Sequence, residues 1–290
     1  MELNLKNKTV LITGAHNPLG IGAATAFKFV EEGANVVIVY KRLSFKFNPD
    51  NTQENGIDKY YKMLSENVST VEQRLQIMTK NYLIIEKDIT DKNAAIDIFD
   101  IINEKFGSVD ILVNNAATYI ENDTIFTIDK QGIDETLSGN VNAAILLIQE
   151  FVNRIKKGGR IINISVDNAQ RMAGQIMYGA SKATMEALTR SIAVEVGKLG
   201  ITVNTVAPGP VQTGWIDKNL ERQVLPHIPL GRIGTPDNIA DAILFLASDR
   251  AEWITGQVIK VDGGHSTPYC GWRCEVQTAY QQSDDKIDNR

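Results

Sequence analysis

Tyr178-Gly179-Ala180-Ser181-Lys182 places a phenol and an ammonium four residues apart, which on a helix sets both on one face. A free tyrosine, with a pKa near ~10, exchanges protons poorly at neutral pH. A neighbouring cation stabilises the phenolate and makes reversible proton transfer feasible. Thirteen positions earlier, Ser165 ends the apolar run Ile161-Ile162-Asn163-Ile164. Its hydroxyl would emerge at a strand's carboxyl end, where open α/β sheets bind their ligands. Taken singly, the Tyr/Lys pair reads as a surface pair and Ser165 as a strand-end hydroxyl bonded to backbone.

A second constellation suits a phosphate. Thr13-Gly14-Ala15-His16-Asn17-Pro18-Leu19-Gly20-Ile21-Gly22 joins a strand-like run to an Ala-rich helical one. Glycines there let the backbone turn sharply and approach a pyrophosphate, and the following helix start offers free N–H donors. The next strand ends in Tyr40-Lys41-Arg42, with no carboxylate. An acidic residue at that place would hold the ribose 2′-hydroxyl of NAD, whereas a base accommodates the 2′-phosphate of NADP. Electrostatics thus favours NADP(H) over NAD(H); the alternative is a solvated basic pair. Asp88, in Lys87-Asp88-Ile89-Thr90, suits either an adenine amino group or the cap of the next helix.

These residues need a frame that brings them to one edge. Strands are expected at Thr9–Thr13, Asn35–Tyr40, Tyr82–Glu86, Ile111–Asn114, Arg160–Ser165, Thr202–Ala207 and Val258–Val261. Helices are expected at Ala23–Glu32, Ala94–Phe106, Ile133–Lys156, Ala180–Leu199 and Pro236–Ala247, from apolar residues at three- and four-residue spacing. The strands are nearly all apolar, as strands buried on both faces are. Strand and helix alternate, which predicts one α/β domain with a doubly wound, mostly parallel seven-stranded sheet. Residues 41–80 form an enlarged polar connection with helix-like patches at Asp58–Glu66 and Val71–Met78. Residues 267–290 form a Gln/Asp-rich extension whose last third has a disordered composition.

Composition narrows the function. The 290 residues carry 35 acidic and 30 basic groups, an excess opposite to that of a nucleic-acid binder. No apolar run is long enough for a membrane helix, and the start of the chain lacks a signal-peptide pattern, so a cytoplasmic location is expected. The two cysteines stand together in Cys270-Gly271-Trp272-Arg273-Cys274, without a second pair and with only His265 nearby. No disulfide framework and no metal site are expected.

In their order, the glycine-rich turn, Asn114-Asn115-Ala116-Ala117, Asn140, Ser165, Tyr178 with Lys182, and Pro208-Gly209 resemble the short-chain dehydrogenase/reductase family over about residues 5–266. The run Trp253-Ile254-Thr255-Gly256-Gln257-Val258-Ile259-Lys260-Val261-Asp262-Gly263-Gly264 resembles members of the 3-oxoacyl-carrier-protein reductase type. The resemblance implies a Rossmann-type domain over 1–266 that transfers a hydride between nicotinamide and a carbonyl or secondary alcohol. It implies that Tyr178 moves the proton on the substrate oxygen. Lys182 would lower the phenol pKa and hold the nicotinamide ribose, Ser165 would hydrogen-bond the carbonyl, and Asn140 would position a relay water. It also implies cofactor contacts from Gly14, His16, Gly20, Ile21 and Gly22. Further along the chain they would come from Tyr40, Lys41, Arg42, Asp88, Ile89, Asn114, Ala116, Pro208, Gly209, Val211 and Thr213.

Two features depart from the common pattern. Five residues separate Gly14 from Gly20 where the family usually has three, a spacing similar to the divergent enoyl reductases. That branch places its tyrosine seven positions before the lysine, but here Gln175 stands there. Carbonyl chemistry is therefore favoured.

Tyr119, the 166–177 loop and the stretch 211–229 are expected to wall the substrate pocket, with Met172, Met177, Trp215, Ile216 and Leu220 as apolar surface and Arg171 as an anion-steering group. Trp215 also reads as packing core and Arg171 as a solvated loop residue. The resemblance implies a small-molecule carbonyl or alcohol as substrate, free or acyl-carrier-linked. Trp272 and Tyr280 suggest a tail folded on a neighbouring subunit, and the resemblance implies a homotetramer. Sugar or other secondary-alcohol oxidation is the alternative activity, and a non-catalytic dinucleotide sensor on the same fold is a third.

Overall fold

The computed structural model describes residues 2–156 and 158–267. Seven strands form the sheet: β1 Thr9–Thr13, β2 Asn35–Tyr40, β3 Tyr82–Glu86, β4 Ile111–Asn114, β5 Gly159–Ile164, β6 Ile201–Pro208 and β7 Val258–Val261. All neighbours run parallel, in the order β3-β2-β1-β4-β5-β6-β7. Five of the seven have the predicted limits, and β5 and β6 begin earlier by a residue. Their apolar character follows from two separate cores. Val10, Ile12, Val36, Ile38, Ile162 and Ile164 pack on one face, whereas Leu11, Val37, Val39, Leu112 and Ile161 pack on the other. Alternate side chains of each strand thus enter opposite layers.

The first face is covered by α1 (Ile21–Glu31), α3 (Ser69–Met78) and α9 (Pro236–Ala247); the second by α4 (Ala94–Phe106), α6 (Ala143–Arg154) and α7 (Ile176–Val196). Local chemistry sets several limits. Thr235 and Asn238 form a capping box around Pro236 at the first position of α9. Gly107, at φ +79°, ends α4.

The expected helix 133–156 is two helices, α5 (Lys130–Leu137) and α6, joined through a wide π turn at Ser138–Asn142. Such a turn inserts a residue without changing the apolar stripe, so spacing alone reads through it. The connection 41–80 folds as α2 (Ile57–Ser65) and α3. Val71 and Leu75 of α3 join the core, and Arg74 lies 3.9 Å over the Phe27 ring of α1. α2 instead crosses the carboxyl edge of the sheet toward α8 (Lys218–Val224).

Candidate active site

The glycine-rich turn closes against β4. Gly14 has φ +68°, and a Cβ there would stand 2.7 Å from Ala116 Cα, so only glycine fits. Asn115 Nδ2 donates to the carbonyls of Thr13 (2.8 Å) and Gly14 (2.9 Å), and the amides of Asn115 and Ala116 donate to Thr13 Oγ1. A Cβ on Gly22 would meet Asn115 Nδ2 at 2.7 Å. The five residues after Gly14 are accommodated by Asn17, whose Oδ1 accepts from the Leu19 amide (2.9 Å) and whose carbonyl accepts from Gly20 (2.9 Å).

Helix α1 then starts without a side-chain cap and without an acidic residue in its first turn. Its free amides and dipole therefore suit an anion, and this backbone fits a dinucleotide pyrophosphate. His16 is buried against other groups: Nε2 lies 3.2 Å from Leu64 O, its ring 5.3 Å from that of Tyr40, and Nδ1 has no partner among the described residues. Burial pushes the imidazole pKa down, so it is neutral.

At the end of β2 the two bases are already matched. Lys41 Nζ lies 2.5 Å from Asp88 Oδ2, and Arg42 Nη2 lies 3.1 Å from Glu86 Oε1. Tyr40 Oη also donates to Glu86, at 2.8 Å. Asp88 does not cap α4; its other oxygen accepts from Thr90 N (2.9 Å) and Oγ1 (2.7 Å). Burial pushes its carboxyl up, but the bonds from Lys41 and Thr90 outweigh that and hold it below the usual range. The carboxylates missing from β2 come instead from the β3 edge, and Ile89 packs against the second core.

Helix α7 begins at Ile176, four residues before the expected start, so that Tyr178 and Lys182 stand on its first turns. The cause is Asp123, a buried residue that sequence reasoning missed. Its two carboxylate oxygens accept from the amides of Met177 and Tyr178, both at 2.8 Å, and its carbonyl accepts from Ile176 at 3.1 Å. Nothing local to Tyr178 signals a cap supplied from 54 and 55 residues away.

Tyr178 is half-buried, with the Tyr119 ring edge-on at 6.4 Å. Lys182 is buried; its Nζ donates to Ile164 O (2.9 Å) and lies 5.6 Å from the Tyr178 ring centre. The expected acidification of the phenol is not what this geometry gives. Burial pushes the Tyr178 phenol up, with a smaller push from Tyr60, while burial brings Lys182 down to about 8. One of the three ammonium protons goes to a strand carbonyl, and desolvation favours the neutral form of both groups.

Asn140, in the π turn, is buried and fully engaged. Its Oδ1 accepts from Thr118 N (2.6 Å), and its Nδ2 donates to Thr118 O (3.0 Å) and Ser181 Oγ (2.9 Å). Ser181 in turn donates to Tyr178 O at 2.7 Å. The side chain thus ties the loop after β4 to α7.

Ser165 departs from its expected role. Its hydroxyl donates to Glu186 Oε1 at 2.8 Å inside the α7 interface, so this single proton is not free for a substrate carbonyl. The pleat explains it: Asn163 and Ser165 share the face that looks at α7. Asn163 Nδ2 donates to Thr189 Oγ1 (2.9 Å), Asn163 Oδ1 accepts from Asn114 Nδ2 (2.9 Å), and Thr189 meets Thr205 at 2.8 Å. Asn114 is therefore the first rung of a buried polar ladder.

Pro208 ends β6. A Cβ on Gly209 would lie 2.6 Å from Asp262 Cβ, so backbone segments meet there. Val211 is buried, and Thr213 O accepts from Asn17 Nδ2 at 3.1 Å, which joins this stretch of expected cofactor contacts to the phosphate turn. A second pair that sequence reasoning missed lies beside it. Asp167, whose amide donates to Pro208 O, has Oδ2 2.6 Å from His265 Nδ1. Burial pushes the Asp167 carboxyl up, against the pull of His265. Trp215 is 41% exposed and Tyr119 45%, so both present surface instead of core. Cys270, Trp272, Cys274 and Tyr280 lie outside the described residues. Among the described residues no three His, Cys, Asp or Glu side chains are grouped to hold a metal, and no helix is long and apolar enough to cross a membrane.

This strand order, with a glycine turn and an uncapped helix at the β1 edge, defines a dinucleotide-binding α/β fold. Residues 50–266 match the family profile described as enoyl-(acyl carrier protein) reductase. The chain is 35% identical to the uncharacterized oxidoreductase YjdA of Bacillus subtilis (strain 168), over 89% of this chain and 97% of that one. It is 33% identical to the 3-oxoacyl-[acyl-carrier-protein] reductase FabG of Staphylococcus aureus (strain N315), with the same coverage. Among solved structures, a short-chain dehydrogenase/reductase from Serratia marcescens BCRC 10948 matches with a TM-score of 0.76 and 28% identity, over 91% of this chain and 99% of that one. The chain belongs to the short-chain dehydrogenase/reductase family, and as such is an oxidoreductase working with an NAD(P) dinucleotide.

Proposed function

We propose that this protein reduces a carbonyl to a secondary alcohol, as a 3-oxoacyl-reductase-like enzyme with NADP(H) preferred and NAD(H) accepted. The observation that carries it is Tyr178 and Lys182 on one face of α7, with the tyrosine amide fixed by Asp123. The matched profile bears an enoyl-reductase description, but Gln175 at seven positions before Lys182 offers no acid, which favours carbonyl chemistry.

The bound dinucleotide supplies or receives the hydride. The amides that open α1 hold its phosphates, and Gly14, Gly22 and Ala116 keep the backbone close enough to do so. Lys182, Pro208, Gly209 and Thr213 border the nicotinamide end. Tyr178 gives its proton to the carbonyl oxygen; burial raises the phenol pKa and makes it a weaker acid, so the transfer depends on the cation beside it. The Lys182 ammonium then stabilises the phenolate that is left. Run backwards, the same groups oxidise an alcohol.

Lys41 and Arg42 support the NADP(H) preference, moderated by Asp88 and Glu86, which a 2′-phosphate has to displace. Exposed Leu146 on α6, Val194 on α7 and Trp253 before β7 support the homotetramer, since they are apolar side chains that a subunit interface would cover.

Tyr178→Phe tests the assignment: turnover should fall about 10²–10⁴-fold while NADPH affinity, read from nicotinamide fluorescence, stays nearly unchanged. Retained turnover would end the assigned role.

A further inference from the structure

Helix α2 belongs to the connection between β2 and β3, yet it is tied to three segments that border the crevice. Near its start the Gly56 amide donates to Gly214 O at 2.9 Å, and Glu54 pairs with Lys218 at 3.1 Å. Met63 packs so closely on Gly214 (φ +101°) that a side chain there would collide with it. In its middle Tyr61 Oη donates to Glu121 Oε1 at 2.6 Å, in the loop after β4, and its ring stacks 4.3 Å from that of Phe45. At its end Leu64 O faces His16 in the phosphate turn and accepts from Leu43 N at 3.0 Å.

A nine-residue helix held at both ends and in the middle has little freedom to swing. Between these ties stands Tyr60, its ring 6.4 Å from that of Tyr61, whose hydroxyl binds the loop that carries Tyr119. Tyr119 in turn lies edge-on to Tyr178, 6.4 Å between ring centres.

We propose that α2 is a wall of the substrate pocket and that Tyr60 is a specificity-determining residue, confining the enzyme to compact carbonyl substrates. The inference rests on Tyr178 being the proton donor, as proposed above. A fixed aromatic wall rejects bulk by collision, and in an apolar pocket each methylene gained or lost changes selectivity about 10–200-fold. The enlarged connection thereby does two jobs: α3 covers the sheet, and α2 limits what reaches the catalytic phenol.

Two measurements on the full chain test this. The first is kcat/KM for methyl ketones from butanone to 4-phenyl-2-butanone. Tyr60→Ala should raise the ratio of the bulky to the small ketone at least about tenfold, and Tyr60→Phe, which keeps the ring, should keep the wild-type ratio. The second is hydrogen exchange of amides 57–65 with and without NADPH, where a wall that borders the occupied crevice should exchange more slowly. Ketone turnover with an unchanged ratio in Tyr60→Ala overturns the specificity role; unchanged exchange overturns the wall. If the wild type reduces none of the ketones, the proposed function is what fails, and exchange alone decides whether α2 lines the crevice.

Discussion

At the nucleotide end of the crevice, Gly14, Gly22 and the free amides of α1 make a surface out of backbone, whereas at the catalytic end Tyr178 depends on side chains: Asp123 and Asn140 from other segments, and Ser181 from its own helix. A backbone site is encoded where it stands, because only glycine permits the φ of Gly14 and its approach to Ala116. A side-chain site is encoded in pieces. Damage to the first should weaken binding and folding together; damage to the second should cost turnover with binding intact.

The largest separation comes from Gly14→Val. Strained backbone at that φ costs about 1–3 kcal/mol before the collision with Ala116 is added. Thermal denaturation should show the loss, and NADPH titration should show affinity falling at least about tenfold, which is ~1.4 kcal/mol. Preserved affinity would remove the glycine turn from the binding site. Next is Asp123→Ala, which strips two amides at the head of α7 of their acceptor. Lost caps cost about 0.5–2 kcal/mol. kcat should drop roughly tenfold, ~1.4 kcal/mol in barrier, with NADPH affinity unmoved. A variant equal to wild type in kcat would show that Tyr178 is positioned without it.

A subtler test uses pH. With Lys182 brought down to about 8 by burial, its charge is present below that pH and lost above it. NADPH affinity should therefore weaken severalfold as pH rises through about 8, and Lys182→Met should flatten the profile. The sign for stability is opposite: the unfolded chain keeps the lysine proton to higher pH, so folding gains as pH rises above about 8. The smallest kinetic effect is expected from Ser165→Ala. With the hydroxyl committed to Glu186, turnover should change less than about threefold, while an unpaired buried oxygen lowers stability by about 1–3 kcal/mol. A thousandfold loss of kcat would restore the serine to the substrate.

Much of this was legible in the sequence, for local reasons. The strands stood out as β-branched apolar runs, and the glycine turn lay where a first strand meets a first helix. What the sequence concealed came from distance. The start of α7 was set by Asp123, and the bases after β2 met carboxylates from β3. The spacing from Ser165 to Tyr178 matched the family, yet spacing says nothing about which face of β5 the hydroxyl takes. The alternation of Ile162 and Ile164 with Asn163 and Ser165 carries that information. The π turn at Asn140 left the apolar stripe of α5 and α6 unbroken and so left no trace in it.

The ladder Asn114–Asn163–Thr189–Thr205 joins three strands to the middle of α7. Apolar contacts are indifferent to small sliding, but directional bonds in a dry interior are not. Pegged this way, the helix cannot creep along the sheet, so the height at which it carries its phenol is fixed by dowels placed a full three turns below the chemistry.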